Sequence, residues 1–433
     1  MRVLWFTNTF MPDAAEHLGR FGLRGSGWWM SVLLDQLKRR AGMQLAVVTA
    51  GGQRDHNFTV DGVDYFVVRT PIRKTLLARL GCTAAWKPSK AQIAKYAAIV
   101  RQWNPDVIHV HGTEKDYGLI KAWRLVGKPV AVSIQGLMTP CARKAYGDLL
   151  PVELHSLTRR AIPLGVKCLT WWKWLRTRMP IEEAIVRSAD MVFGRTEWDH
   201  AWAWVYNPEV KYRHVDELMR REFVQAPAWS VDDCRRHQVF CTSGGQPLKG
   251  LHVLLEAVYR LRTIYSEIKL SVASDAFLPK PNNDYARFIM KMVRRWGLQD
   301  IVTFLGLIDA EGIIEQLKKA HCFVTPSFVE NGCNALQEAM LVGTPCVATL
   351  SGGLTTTVES ERTALTFPVG DAAVLARQIH RLFQDDALAV RLGAAAAAVA
   401  RARHSPEVVM QQLIGAYEEL VGAAVPVHSV EAR

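Results

Sequence analysis

Short apolar runs alternate with amphipathic segments along this chain, and this alternation constrains the fold more than any other feature. The first half contains β-type runs at residues 2–7, 44–50, 106–111, 130–135 and 191–194. Helical patterns separate them, at residues 28–40, 91–102, 119–126 and 181–189. Strands that alternate with helices are joined by right-handed crossovers and form a parallel sheet. The first half therefore predicts a doubly wound α/β domain.

The same alternation begins again after a polar, proline-bearing stretch at residues 225–236. The second set of predicted strands lies at residues 239–242, 269–273, 301–304, 322–325 and 345–348. The second set of predicted helices lies at residues 251–265, 285–296, 311–319 and 335–341. The tail departs from this pattern. It has an alanine-rich helix through residues 394–403 and a second helix at residues 406–421, which Ser405 is placed to cap.

The length of the chain also requires more than one core. It has 433 residues, and single hydrophobic cores stop growing near about 250–300 residues. We predict a first domain at residues 1–225, a second at residues 226–405, and a C-terminal helix and tail at residues 406–433. Ligands of doubly wound sheets bind outside the carboxyl ends of the strands. The sequence therefore places the chemistry in a cleft between two Rossmann-like domains.

Positive charge is concentrated in the first half. Residues 1–225 hold 33 basic and 20 acidic residues, whereas residues 226–433 hold 20 basic and 21 acidic residues. This asymmetry favours an anionic partner, such as phosphate-bearing lipid, a membrane surface or nucleic acid. The other explanation is that the proteins of the source organism are basic in general. One basic, Trp-rich segment fits either a membrane-interface helix or a buried aromatic helix. It contains Lys167, Trp171, Trp172, Lys173, Trp174, Arg176 and Arg178.

Signals for export, membrane insertion and metal binding are missing from the sequence. The opening strand becomes polar at Thr7, and no run approaches the roughly 18 apolar residues of a membrane helix. The eight cysteines form no CxxC pair, which fits free thiols in a reducing compartment. No Asp-x-Asp sequence occurs, nor any His/Cys/Asp cluster with metal-ligand spacing. We expect a cytoplasmic protein that uses neither a metal nor a cofactor.

The stretch from Thr325 to Met340 carries the most informative pattern. A predicted strand ends, a short loop with Gly332 follows, and a helix starts near Asn334. The free amides and the positive dipole end of such a helix form an anion site suited to a diphosphate. Glu338 lies one turn into the helix, where a carboxylate can accept hydrogen bonds from the hydroxyls of a ribose. Glu330 would approach a sugar, although two acids at this spacing are also common surface residues.

The order and spacing of these motifs resemble family 4 of the retaining glycosyltransferases of the GT-B architecture. That family carries a Glu, seven residues and Glu-Ala-Met, then a Gly-x-Pro-x-Val-Ala strand and a paired-glycine loop. The matching residues are Glu330, Glu338-Ala339-Met340, Gly343 to Ala348 and Gly352-Gly353. Shorter motifs resemble the branch that builds capsular and exopolysaccharides, at residues 106–112, 133–137, 194–199 and 247–252.

The resemblance implies a GT-B fold, in which two Rossmann-like domains face a central cleft and the C-terminal helix packs back on the first domain. It implies that the second domain binds a nucleotide-diphosphate sugar donor and the first a saccharide acceptor. The anomeric configuration would be retained by same-face attack, with a transient covalent intermediate as the other route. The donor-binding loop and helix would comprise Glu330, Asn331, Gly332, Cys333, Asn334, Ala335, Leu336 and Glu338.

Lys249 precedes a predicted helix, and the resemblance gives it the role of neutralising the leaving diphosphate. The family commonly adds an Arg five residues earlier, where this chain has Gly244. Either Gly244 and Gly245 let the backbone approach the phosphates, or another basic residue such as Arg195 supplies the charge.

His111 ends a predicted strand, and the resemblance places it against the donor sugar, although a His in that position is more often a structural hydrogen bonder. His109 is the less favoured candidate. Gln135 stands where much of the family has a His, and it would position a hydroxyl because it cannot carry a proton. A further candidate loop for an anion or acceptor comprises Gly25, Ser26 and Gly27.

The sequence thus predicts an enzyme whose catalytic residues are His111, Glu330 and Lys249. It would transfer a sugar to a saccharide acceptor that is linked to a lipid. The reaction would belong to bacterial surface polysaccharide synthesis and take place at the inner face of the cytoplasmic membrane. A nucleotide-sugar epimerase of the same architecture is one alternative. A non-catalytic saccharide or nucleic-acid binder is another, but no nucleic-acid motif supports it.

Overall fold

The computed structural model describes residues 1–19, 28–51, 54–70, 88–150, 153–154, 167–242 and 244–424. Within them, the first sheet has the strand order β3-β4-β2-β1-β5-β6-β7-β8. Its strands are β1 Arg2–Thr7, β2 Gln44–Ala50, β3 His56–Val60, β4 Val63–Val68, β5 Val107–His111, β6 Val130–Ser133, β7 Met191–Gly194 and β8 Lys211–His214. The accompanying helices are α1 Pro12–His17, α2 Trp28–Lys38, α3 Lys90–Trp103, α4 Leu119–Ala122, α5 Met138–Arg143, α6 Lys167–Ser188, α7 Glu197–Tyr206 and α8 Arg221–Val224.

The second sheet is parallel throughout and has the order β11-β10-β9-β12-β13-β14. Its strands are β9 Gln238–Cys241, β10 Lys269–Ala273, β11 Val302–Gly306, β12 Cys322–Thr325, β13 Cys346–Thr349 and β14 Leu365–Phe367. A 3₁₀ turn at Pro247–Lys249 precedes α9 Leu251–Leu261. The remaining helices are α10 Asp284–Arg295, α11 Ala310–Lys319, α12 Asn334–Val342, α13 Leu354–Thr357, α14 Ala372–Gln384, α15 Asp386–Arg403 and α16 Pro406–Ala424.

Helices cover both faces of each sheet, and this explains why the strands read as continuous apolar runs. In β1 every residue from Val3 to Thr7 is buried, and all four residues of β9, β12 and β13 are buried. Strands of a doubly wound sheet lose the polar alternation of a sheet with one wet face. The predicted class, two doubly wound Rossmann-like domains in the GT-B arrangement, is confirmed.

The C-terminal helix α16 packs against the first sheet, as expected. The hydroxyl of Tyr417 accepts a hydrogen bond from Trp5 Nε1 at 3.1 Å and lies 2.6 Å from Nδ1 of His109. Val409, Leu413 and Tyr417 are buried in one core with residues of β1, β2 and α2. Helix α16 therefore belongs to the core of the domain that contains β1.

Some elements differ from the prediction. The edge strand β3 runs antiparallel to β4, and their turn contains Asp61 and Gly62, both with positive φ. Such an Asp-Gly pair favours a tight hairpin. Helix α6 is far longer than the predicted helix at residues 181–189 and passes through Pro180. No helix in the described part of the chain has both the length and the apolar character needed to cross a bilayer.

Candidate active site

A cavity of about 620 Å³ lies at the carboxyl edge of the second sheet. Thr242 follows β9, Ser274 follows β10 and Leu307 follows β11, and all three line it. Its other walls include Lys249, Glu330 and the start of α12. The carboxyl ends of parallel strands are the expected place for a ligand. The described lining residues all belong to the second domain, so this cavity is one side of the predicted inter-domain cleft.

Lys249 and Glu330 form an ion pair in this cavity. Lys249 Nζ lies 2.6 Å from Glu330 Oε1, which also accepts a hydrogen bond from Ser327 Oγ at 2.7 Å. Burial alone would lower the pKa of the Lys249 ammonium, but the charge and hydrogen bond of Glu330, together with smaller contributions from Cys333 and Cys141, raise the pKa above its ordinary value. Lys249 therefore stays positively charged, and its side chain keeps 33% of its surface exposed toward a ligand.

Helix α12 directs its N-terminus at the same cavity. Asn334 and Ala335 line the cavity beside Cys333, whose side chain makes no capping hydrogen bond. The first amides of the helix and its positive dipole end thus lie beside Lys249, as an anion site requires. Leu336 is fully buried in the second core, so it supports the helix and does not line the cavity.

The structure explains why position 244 holds a glycine. A Cβ on Gly244 would lie 2.9 Å from the Phe277 ring and 3.0 Å from Leu251, so an arginine there would displace both. Gly245 has more room, and both glycines line the cavity. Lys249 is the only cationic side chain among the described lining residues.

Glu338 lies behind the cavity wall instead of lining it. Its side chain is only 5% exposed and forms an ion pair with Arg220 at 2.6 Å. Burial raises the pKa of Glu338 to about 7, although the guanidinium of Arg220 opposes the shift. Arg220 was not predicted from the sequence. It lies in the segment of the chain that connects the two sheets, and it belongs to no motif.

The two histidines of β5 have different surroundings. Both ring nitrogens of His109 are engaged, by Tyr417 and by Ser133 Oγ at 2.6 Å, whereas neither ring nitrogen of His111 has a partner among the described residues. His111 lines a small enclosed cavity with Gln135, away from Lys249. Burial lowers the pKa of His111 to about 3, so its imidazole is neutral.

Arg195 pairs with Glu217 beside that enclosed cavity, and it is not among the lining residues of the larger one. Its Nη2 donates to the Gln135 carbonyl at 3.3 Å. Asn331 accepts a hydrogen bond from Thr196 Oγ1 at 2.9 Å, and this contact joins the two domains. Gly332 packs against the Arg195 side chain. The candidate loop Gly25, Ser26 and Gly27 lies outside the described residues.

Both halves of the chain match models of glycosyltransferase families. Residues 25–209 match the model described as "Glycosyl transferase 4-like domain", and residues 236–399 match "Glycosyl transferases group 1". By its fold and by these two matches, the chain is similar to GT-B glycosyltransferases of the family 4 type. The matches do not distinguish the capsular and exopolysaccharide branch from others.

Relatives and solved structures agree with this similarity. A D-inositol 3-phosphate glycosyltransferase of Streptomyces avermitilis is 32% identical over 35% of this chain. The first three relatives are matched over only about a third of their own length, 33% to 35%. A 2-deoxystreptamine N-acetyl-D-glucosaminyltransferase of Streptomyces fradiae is 26% identical over 87% of both chains.

Two solved structures have the same fold. Sucrose-phosphate synthase of Thermosynechococcus elongatus has a TM-score of 0.70 and 19% identity, and the match covers 98% of this chain and 99% of that one. Anabaena HepE in complex with UDP and glucose has a TM-score of 0.65 and 16% identity, over 96% of this chain and 99% of that one.

Proposed function

We propose that this protein transfers a sugar from a nucleoside-diphosphate sugar to a hydroxyl acceptor. The single observation that carries the proposal is the Lys249–Glu330 ion pair beside the N-terminus of α12, in a cavity of about 620 Å³. That volume falls in the range of pockets that enclose drug-sized ligands. A lysine and helix amides supply positive charge for a diphosphate, and a carboxylate beside them suits sugar hydroxyls.

Lys249 acts on the step in which the bond between the sugar and the diphosphate breaks. The bonding electron pair leaves with the phosphate oxygen, and Lys249 and the α12 amides stabilise the negative charge that develops there. The acceptor oxygen forms the new bond to the anomeric carbon and gives up its proton to the departing phosphate. Attack from the same face would retain the anomeric configuration. These groups meet the charge without a divalent ion, so we propose a reaction that needs no metal.

His111 and Glu330 are proposed to bind the donor sugar. Glu330 lies in the donor cavity already, whereas His111 has unpartnered ring nitrogens in the enclosed cavity next to Gln135. For His111 to reach a donor, the contacts of Asn331 with Thr196 and of Gly332 with Arg195 would have to rearrange on binding. A neutral imidazole can exchange a hydrogen bond with a sugar hydroxyl, but it does not supply a charge.

For the acceptor we propose a saccharide bound by the first domain. The basic surplus of residues 1–225 supports one carried on a lipid diphosphate at the inner face of the cytoplasmic membrane, as in surface polysaccharide synthesis. The names of two relatives support a second candidate, a free cyclitol, because inositol 3-phosphate and 2-deoxystreptamine are both cyclitols.

The donor is tested by a panel of nucleotide sugars. We expect one of them to raise the melting temperature of the purified protein and to be hydrolysed slowly without an acceptor. Lys249→Ala should lose the hydrolysis. An epimerase would instead convert the sugar without releasing the nucleoside diphosphate, and a non-catalytic binder would leave the donor intact. The absence of any thermal shift or turnover would contradict the proposal.

A further inference from the structure

Arg220 reaches Glu338 from the segment that connects the two sheets. Its Nε and Nη2 both donate to Glu338 Oε1, at 3.0 and 2.6 Å. No hydrogen bond from the described residues goes to Oε2. The described residues therefore hold only one oxygen of this carboxylate.

Aromatic rings fix the guanidinium in this position. The Arg220 guanidinium carbon lies 4.9 Å from the centroid of the Trp28 ring and 4.5 Å from that of Phe223. Phe223 is fully buried, and Trp28, the first residue of α2, packs against the cores of both domains. Arginine over aromatic faces loses little mobility when it binds a carboxylate, because it is already ordered.

Glu338 lies one helical turn beyond the cavity wall on α12. Residues four apart share one face of a helix, so Glu338 lies on the face of Asn334, which lines the cavity. Because the Glu338 side chain is only 5% exposed, desolvation makes its charged form unfavourable. The nearby cation Arg220 offsets part of that cost.

We infer that Arg220 is a positioning residue of the donor site: it holds Glu338 in place and ionised, so that Oε2 can accept the ribose hydroxyls of a nucleoside diphosphate. This inference rests on the proposed function. It adds a residue that no motif contains and that lies outside the donor-binding helix.

Few other charged groups act on Glu338. Glu222 on α8 opposes its ionisation, and Arg220 favours it. On the α15 side, Arg401 donates to the Leu341 carbonyl. His404 contacts the neighbouring Gln337, but burial lowers the pKa of His404 to about 4, so it stays neutral near pH 7. Because the pKa of Glu338 is about 7, titration of this carboxyl should appear in the pH dependence of nucleotide binding.

The test is calorimetric titration with UDP and with GDP between about pH 6 and about pH 9. Arg220→Gln removes the cation and should raise the pKa of Glu338, so affinity near pH 6.5 should fall about tenfold for each unit of that rise. The loss should shrink toward pH 9, where Glu338 ionises without help. Arg220→Lys, which keeps the charge, should bind with intermediate affinity. Arg221→Gln, a change at the neighbouring exposed arginine, should match the wild type.

The outcomes separate the inference from the proposed function. If the wild type binds neither nucleotide, the proposed function fails and the inference with it. If the wild type binds but Arg220→Gln keeps the same affinity and pH profile, only the inference fails. Tighter binding by Arg220→Gln would also overturn it, because Arg220 would then block the carboxylate. A fall in melting temperature with an unchanged pH profile would make Arg220 merely structural.

Discussion

Lys249 is the residue on which the proposed chemistry depends most. Its ammonium pairs with Glu330, and it is the cationic group that lines the described cavity. Removal of one preorganised charge-stabilising group typically costs about 10²–10³-fold in rate. Lys249→Ala should therefore lower kcat by about that factor.

A matched control makes the effect of Lys249→Ala specific. Lys291 is an exposed lysine on α10, so Lys291→Ala should change neither rate nor melting temperature. Steady-state kinetics and thermal melts of both variants test the prediction. If Lys249→Ala lost stability and rate in parallel, Lys249 would be a structural residue.

Helix α16 contacts the first sheet through the buried hydroxyl of Tyr417. Tyr417→Phe would leave Trp5 Nε1 and His109 Nδ1 without their shared partner. A buried polar group that loses its partner costs about 1–3 kcal/mol, and we expect a loss of unfolding free energy in that range. Tyr259→Phe, at a half-exposed tyrosine of α9, is the control. Equal stability of the two variants in denaturant titrations would show that the hydroxyl does not anchor α16.

Elements with a strong local pattern were predictable from the sequence. The buried strands β1, β2, β7, β10 and β12 appear at the predicted residues. Short apolar runs between helices are typical of strands that are buried on both faces of a parallel sheet. The β3–β4 hairpin was missed, although Asp61-Gly62 between apolar residues is a recognisable turn signal.

Features that depend on tertiary contacts could not be predicted. Nothing local to Arg220 indicates its pairing with Glu338, because the two residues are 118 positions apart. The location of the Trp-rich segment could not be predicted either, since its composition is typical both of a helix at a membrane interface and of a buried aromatic helix. In the structure, Trp171, Trp172 and Trp174 are half-buried and pack beside α5.

Across the whole molecule, the uneven charge predicts contact with an anionic membrane. The structure removes one candidate from the predicted contact set, because Arg178 is only 6% exposed. Lys173 and Arg176 on α6 are exposed, whereas the side chain of Lys167 lies outside the described residues. Exposed basic residues near an anionic leaflet contribute about 1 kcal/mol each.

We expect the protein to cosediment with anionic vesicles but not with neutral ones, and added salt to weaken the binding. The double substitution Lys173→Gln with Arg176→Gln should reduce cosedimentation and leave donor binding intact. A double substitution at exposed lysines of the second domain, Lys280→Gln with Lys291→Gln, is the control. Equal binding to neutral vesicles, or none to anionic ones, would favour the free cyclitol over a lipid-linked acceptor.

In the proposed reaction, Lys249 and the amides of α12 stabilise the negative charge of the leaving phosphate, and the nucleotide sugar is cleaved without a metal. The most direct measurement is the release of nucleoside diphosphate from the panel donor, by wild type and by Lys249→Ala, in excess EDTA. We expect the wild type to release nucleoside diphosphate at the same rate with and without EDTA, and the variant to release almost none. Release that stops in EDTA and returns with magnesium or manganese, or equal release by both proteins, would contradict it.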